Sequence, residues 1–107
     1  WRYDIHGFHE HLQYTVYDGS GTHYDWHVDN NMLTDLPPRK LSMSVQLSDP
    51  DDYDGGGLEI SDGQIVEATD ARGSVIVFPS YRVHRVTPVT EGVRRSLVVW
   101  ANGPAFR

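Results

Sequence analysis

The stretch LSMSVQLS, residues 41–48, sets Leu41, Met43, Val45 and Leu47 against Ser42, Ser44, Gln46 and Ser48 in strict alternation. Side chains alternate across a strand with a period of two, so the stretch reads as a β-strand with one apolar and one polar face. It is the clearest strand signal in the chain, and others lie on both sides of it. LQYTVY (12–17) and residues 23–29 precede it. LEIS (58–61), QIVEAT (64–69), SVIVF (74–78), RVHRVTPV (82–89) and RRSLVVWA (94–101) follow. SVIVF reads as a buried strand stopped by Pro79. DGSG (18–21) and Asp62-Gly63 are turn signals. Pro37-Pro38 forbids a regular ladder in residues 30–40, which read as a loop. DPDDYDGGG (49–57) reads as a flexible acidic loop, a candidate lid near an active-site mouth. Seven or eight short strands with turns between them predict a mostly β chain, a sandwich or an open barrel. Outside the first ten residues no helical period is convincing.

The chain has 107 residues, which fits one domain. It begins at Trp1, not Met, so the expectation is a segment of a longer protein whose own N-terminal part lies upstream. There is no cysteine, which excludes disulfides, thiolate metal sites and a cysteine nucleophile. The formal net charge is −6, which argues against a nucleic-acid partner held by broad phosphate contact. No apolar run approaches a membrane span, so no membrane partner is expected. A cytoplasmic location is expected, and the residues carry no signal for oligomeric state.

GTHYDWHVDNN (21–31) holds two H-x-D patterns, His23-Tyr24-Asp25 and His27-Val28-Asp29. On a strand, side chains two apart share a face with their Cα atoms roughly 7 Å apart, and one ion fits between them. With six His and eleven Asp in the chain, about 0.6 such patterns arise by chance, so the pattern alone is weak. A surface His–Asp hydrogen bond is the bland alternative for either. Distant residues sharpen the reading. Two His and one carboxylate form the facial triad of non-haem Fe(II) oxygenases, which leaves coordination positions open. His84 lies on a late strand and offers the third ligand. Arg94 opens RRSLVVW and offers a cationic fork for a dicarboxylate. Arg94, Ser96, Val98 and Trp100 share one strand face.

YDGSGTHYDWHVDNN (17–31), GGGLEI (55–60) and VHRVTPVTEGVRRSLVVW (83–100) together resemble the Fe(II)/2-oxoglutarate-dependent dioxygenases, in the prolyl 4-hydroxylase-like branch. The resemblance is nearest to the PKHD-type and oxygen-sensing prolyl hydroxylases and runs from Gln13 to Trp100. It implies a double-stranded β-helix (a jelly-roll, cupin-like core), with the N-terminal bracing helices expected to be missing from residues 1–107. It assigns the metal ligands to His27, Asp29 and His84, and leaves His23 and Asp25 on the approach to the site. It assigns Arg94 and Tyr17 to the far carboxylate of 2-oxoglutarate, with Ser96 and Val98 flanking that co-substrate. Gln46 stands where some relatives carry an aromatic carboxylate-binding residue, a departure that leaves its part open. The alternatives to these roles are a surface arginine and a core tyrosine.

Tyr24, Arg82 and Trp100 are candidate substrate contacts. Trp26 precedes His27 and is expected to face away from the iron, into packing. Arg85 also flanks His84. His6, His9 and His11 offer a chance metal site, or a polar face. The acidic loop fails the EF-hand pattern, because Tyr53 and Asp54 occupy ligand and glycine positions and Ile60 stands at position twelve. The implied function is a hydroxylase using Fe(II), 2-oxoglutarate and O2, acting on a peptidyl proline and releasing succinate and CO2. A hydroxylase of a free amino acid or other small molecule is the rival within the class. A non-catalytic metal-binding β-barrel module and a cupin-like iron enzyme indifferent to 2-oxoglutarate stand outside it.

Overall fold

The structure is a computed structural model that describes residues 5, 7, 8, 10–21, 23–29 and 38–104. It contains β1 (Gln13–Asp18), β2 (Tyr24–His27), β3 (Arg39–Gln46), β4 (Tyr53–Gly55), β5 (Leu58–Ser61), β6 (Ile65–Glu67), β7 (Val75–Pro79), β8 (Val83–Val86) and β9 (Val89–Asn102). The strands form two antiparallel sheets. The larger runs β1-β9-β3-β7, with β4 also paired to β9. The smaller runs β2-β8-β5-β6. Tyr17, Phe78 and Val89 of the larger assembly meet Leu58 and Val86 of the smaller in one buried cluster with Tyr53. This is the expected jelly-roll architecture. The first ten residues, whose helical period the sequence left open, lie mostly outside the described residues.

The strand that decides the fold turns its polar face inward. Ser42 and Gln46 of β3 are buried, whereas Leu41, Met43 and Val45 are only half-buried on the other face. The inner face of β3 therefore gives a cavity one polar wall instead of adding to the apolar core. β3 begins at Arg39, two residues before the alternating stretch, because Pro38 precedes the strand instead of interrupting it. β7 is not the buried strand its composition suggests, since Val75 and Val77 are exposed on the outer face. β9 starts at Val89, well before the expected 94.

The acidic stretch is not a free loop. Asp49 caps a short 3-10 turn over Pro50–Asp52 by accepting from the Asp51 amide. β4 then pairs with β9, Tyr53 opposite Gly92. Tyr53 enters the core, which anchors the segment and corrects the expectation of a mobile lid.

Candidate metal centre and co-substrate cavity

β2 and β8 lie antiparallel with His27 directly opposite His84. Their ring centroids stand 4.1 Å apart. Asp29 follows just beyond β2, held by its amide donating to the Ser80 carbonyl at 3.0 Å. Each ring commits Nδ1 to a carbonyl two residues back, Asp25 at 2.7 Å for His27 and Arg82 at 2.9 Å for His84. A carbonyl only accepts, so Nδ1 carries the proton and Nε2 of the neutral ring is left as the ligand atom. Both Nε2 atoms converge on Asp29 Oδ1, at 3.4 and 3.3 Å. Cis ligands about 2.1 Å from one ion stand about 3 Å apart, so the spacing fits a metal. Two imidazoles and one carboxylate fit Fe(II) by donor chemistry. Among the described residues this is the one such His/Asp/Glu cluster found.

Burial by itself would raise the Asp29 pKa, but with His84 doubly protonated its hydrogen bond, that from Ser42, the His84 charge and the Trp100 indole outweigh burial and hold it at about 2. For His84, burial works against protonation, yet the hydrogen bonds to Asp29 and to the Arg82 carbonyl and the Asp29 charge raise its pKa.

The triad opens into a cavity of about 240 Å³ between the two sheets. Tyr17, Tyr24, Arg94, Ser96, Val98 and Trp100 also line it. β1 pairs with β9 so that Tyr17 stands opposite Arg94, and the guanidinium lies 5.4 Å from the phenol ring centre. Burial raises the Tyr17 pKa, with Arg94 opposing. Arg94 is 4% exposed. Its guanidinium has no hydrogen-bond or carboxylate partner among the described residues. A buried cation without a counter-charge is costly, so a guanidinium in this position on a cavity wall suits an anion.

The family model for the 2OG-Fe(II) oxygenase superfamily matches residues 12–102. The chain belongs to that superfamily. A PKHD-type hydroxylase of Nitrosomonas europaea is 44% identical over 86 residues, covering 73% of this chain and 37% of the relative. One from a Caulobacter species is 41% identical over 92 residues, covering 82% of this chain and 40% of the relative. The chain thus spans about two fifths of the length of these curated relatives. The crystal structure of a Pseudomonas putida prolyl-4-hydroxylase superposes with a TM-score of 0.71 at 27% identity, covering 85% of this chain and 51% of that one. The 2-oxoglutarate complex of a viral collagen prolyl hydroxylase from Paramecium bursaria Chlorella virus-1 shares the fold with a TM-score of 0.68, at 21% identity, over 94% of this chain and 63% of that one.

Within this oxygenase fold several residues stand elsewhere than the sequence suggested. Gln46 does not line the triad's cavity. Its amide donates to the Tyr53 hydroxyl at 2.7 Å and to the Ser48 carbonyl at 3.2 Å, in a small void on the other side of Arg94. Arg82 does not line the cavity either; its guanidinium stands 5.4 Å from the Tyr81 ring centre. Its carbonyl orients His84. Trp100 does line the cavity, but its indole N–H is committed to Asp29 Oδ2 at 3.1 Å. Trp26 is not packed inward; it is 36% exposed with the Arg85 guanidinium 4.5 Å from its ring centre. The expected shared parity of residues 23, 25, 27 and 29 is broken by a bulge. Tyr24 opposes Val86 and His27 opposes His84, so Asp25 and Trp26 of β2 stand against Arg85 alone of β8. Tyr24, not Asp25, therefore shares the His27 face, with ring centroids 3.9 Å apart. His23 is exposed and its Nδ1 contacts the Gly21 carbonyl. His6 and His9 lie outside the described residues, and His11 is exposed.

Sequence reasoning passed over Ser42, Ser80, Arg39 and Tyr53. Ser42 and Ser80 are each 1% exposed beside Asp29. Ser42 had a signal, its place on the polar face of β3. Arg39 lies 3.7 Å above the Trp100 ring and bonds Glu10 through two nitrogens, which no local pattern announces.

Proposed function

We propose that the chain is the metal- and co-substrate-binding core of a hydroxylase that uses Fe(II), 2-oxoglutarate and O2 on an unactivated C–H bond. A peptidyl proline is the favoured substrate. The observation that carries this reading is one cavity shared by the His27–Asp29–His84 cluster and Arg94, whose guanidinium has no carboxylate partner among the described residues. A purely structural metal site has no use for a buried arginine on the same wall, which disfavours the binding-module and cupin-like readings.

His27, Asp29 and His84 would hold the iron, which when bound supplies O2 activation coupled to decarboxylation of 2-oxoglutarate to succinate and CO2. Arg94 gives the far carboxylate of the co-substrate a charge-assisted fork, and Tyr17 adds a hydroxyl beside it. Ser96 and Val98 form the wall along which the co-substrate lies. The Asp25 and Arg82 carbonyls keep each imidazole in the tautomer that presents Nε2. Phe78, Leu58 and Val86 line the same cavity and exclude water from a site that must oxidise only its target.

The cavity of about 240 Å³ lies below the volume of typical small-molecule pockets, about 300–1,000 Å³. With a co-substrate at Arg94, the remaining volume suits one small group such as a single residue, on a peptide or free. The likeness to the Pseudomonas prolyl-4-hydroxylase supports proline as that residue.

The test is anaerobic. Fe(II) and then 2-oxoglutarate are added to the full-length protein, and the visible charge-transfer band of a bidentate 2-oxo acid is sought. The band is expected in the wild type and not in His27→Ala. Iron binding without a band removes the co-substrate reading. Succinate release on proline-containing peptides, set against free proline, then decides the substrate class.

A further inference from the structure

The fold treats the two oxygens of Asp29 differently. Oδ1 faces both imidazoles. Oδ2 accepts from Ser42 Oγ at 2.6 Å and from Trp100 Nε1 at 3.1 Å. A carboxylate only accepts and the Ser42 hydroxyl has one proton, so that proton lies on the Asp29 bond. The 2.9 Å contact between Ser42 Oγ and Ser80 Oγ must then run from Ser80 to Ser42. The three groups form a directed relay, Ser80 to Ser42 to Asp29, in a water-poor site where such chains strengthen one another. Ser80 also accepts the Asp29 amide through its carbonyl and gives its own amide to the Lys40 carbonyl, both at 3.0 Å. One residue thus sets the Asp29 backbone and the direction of the Ser42 hydroxyl. Ser42 stands opposite Phe78 on one side and Trp100 on the other, so the two donors to Oδ2 come from neighbouring central strands.

We infer that Ser42, Ser80 and Trp100 are positioning residues that hold Asp29 to ligation through Oδ1 alone. This rests on the proposed metal site. Its purpose follows from counting. Two His and a one-oxygen carboxylate leave three of six positions open, enough for a bidentate 2-oxo acid and O2. A carboxylate bound through both oxygens leaves two, and one partner is shut out. Two donors on Oδ2 occupy the lone pairs through which it would swing onto the ion.

The experiment titrates Co(II) into the full-length protein and its variants, with folding checked by thermal melting. Ser42→Ala is expected to weaken Co(II) about 10–100-fold, the usual effect of losing a group that orients a ligand. Ser42→Thr keeps the hydroxyl and is expected to restore near wild-type affinity. Difference infrared spectra with labelled aspartate read the ligation mode. Ser42→Ala should narrow the gap between antisymmetric and symmetric carboxylate stretches, toward two-oxygen binding. A wild-type gap in folded Ser42→Ala overturns the inference whatever its affinity. Should Ser42→Ala fail to fold, Trp100→Phe and Ser80→Ala remove one member each and are read the same way. If the wild type binds no Co(II), or His27→Ala binds it equally well, the metal site itself falls and this inference with it.

Discussion

His23 and His27 stand four residues apart with the same local pattern, and only partners in space separate them. His27 Nε2 meets Asp29 and faces His84, whereas His23 is exposed and contacts only its own turn. His27→Ala is therefore expected to abolish metal binding and turnover, while His23→Ala keeps both within about twofold, as for a surface substitution. The reverse result in metal titration and succinate release would reassign the ligands. Arg94 is the second residue whose surroundings define it. A charge-assisted hydrogen bond is worth roughly 1.5–3 kcal/mol, so Arg94→Ala should raise the 2-oxoglutarate KM about 10–100-fold. Arg94→Lys should recover part of this, since it keeps the charge without the fork. Metal affinity should be unchanged in both. A loss of metal affinity would show that Arg94 acts as a structural cation instead.

At the scale of elements, β9 carries the Arg94, Ser96, Val98 and Trp100 wall of the cavity, and a glycine shapes the strand. Gly92 adopts φ 77°, a conformation open to glycine and strained for other residues. A Cβ there would overlap the Asp52 carbonyl and stand 2.8 Å from Tyr53 Cα. Both are backbone atoms that cannot step aside. Gly92→Ala is therefore expected to destabilise the fold by about 2 kcal/mol or more, through detachment of β4 and the Tyr53 that it packs. Chemical denaturation measures this, and a change under about 0.5 kcal/mol would mean β4 pairing is not required. The same glycine explains what the sequence hid. EGV between Thr90 and Arg94 looks like a break, so β9 was expected to begin at Arg94, but Gly92 continues the strand while turning it to receive β4. Strands with plain alternation, such as β1, β3 and β5, were legible because the pleat itself writes that pattern. The bulge in β2 was not, because the extra residue is defined only by its pairing with β8. His27, Asp29, His84 and Arg94 were legible through spacing and resemblance. Ser42 showed only its place on the polar face of β3, and Ser80 showed nothing, since an isolated serine has no further signature until it meets its acceptor.

The whole molecule shows an apolar outer face and a tethered end. Tyr14, Leu97, Val45 and Val75 stand side by side across the larger sheet, and Val99, Met43 and Val77 form the next row. Tyr14, Val75 and Val77 are exposed, and a contiguous apolar face of this kind calls for cover. The bracing helices implied by the resemblance are the natural cover. Residues 1–107 expressed alone should therefore bind an apolar dye and self-associate, and Val75→Lys with Val77→Lys should suppress both while leaving Co(II) affinity intact. The tether lies at the C-terminal end of β9. Gly7 bridges to Asn102, and Glu10 accepts from Arg39 at 2.6 and 2.8 Å and from Asn102 at 3.3 Å. Arg39 in turn lies over Trp100, whose indole holds Asp29. The hydrogen bonds from Arg39 lower the Glu10 pKa below its ordinary 4.5, with burial opposing and Asn102 assisting. A carboxylate depressed on folding adds stability that is fully present above the unfolded value and is lost as pH falls through the folded one. Glu10→Gln keeps the shape and removes the charge. At pH 7 it should lower stability by about 1–2 kcal/mol, which is several degrees in Tm for a domain of this size. Below pH 4.5 the two melting curves should converge as the wild-type carboxyl takes up its proton. A constant Tm gap from pH 7 down to pH 3 would mean that the charge on Glu10 contributes nothing and that the tether is held by packing alone.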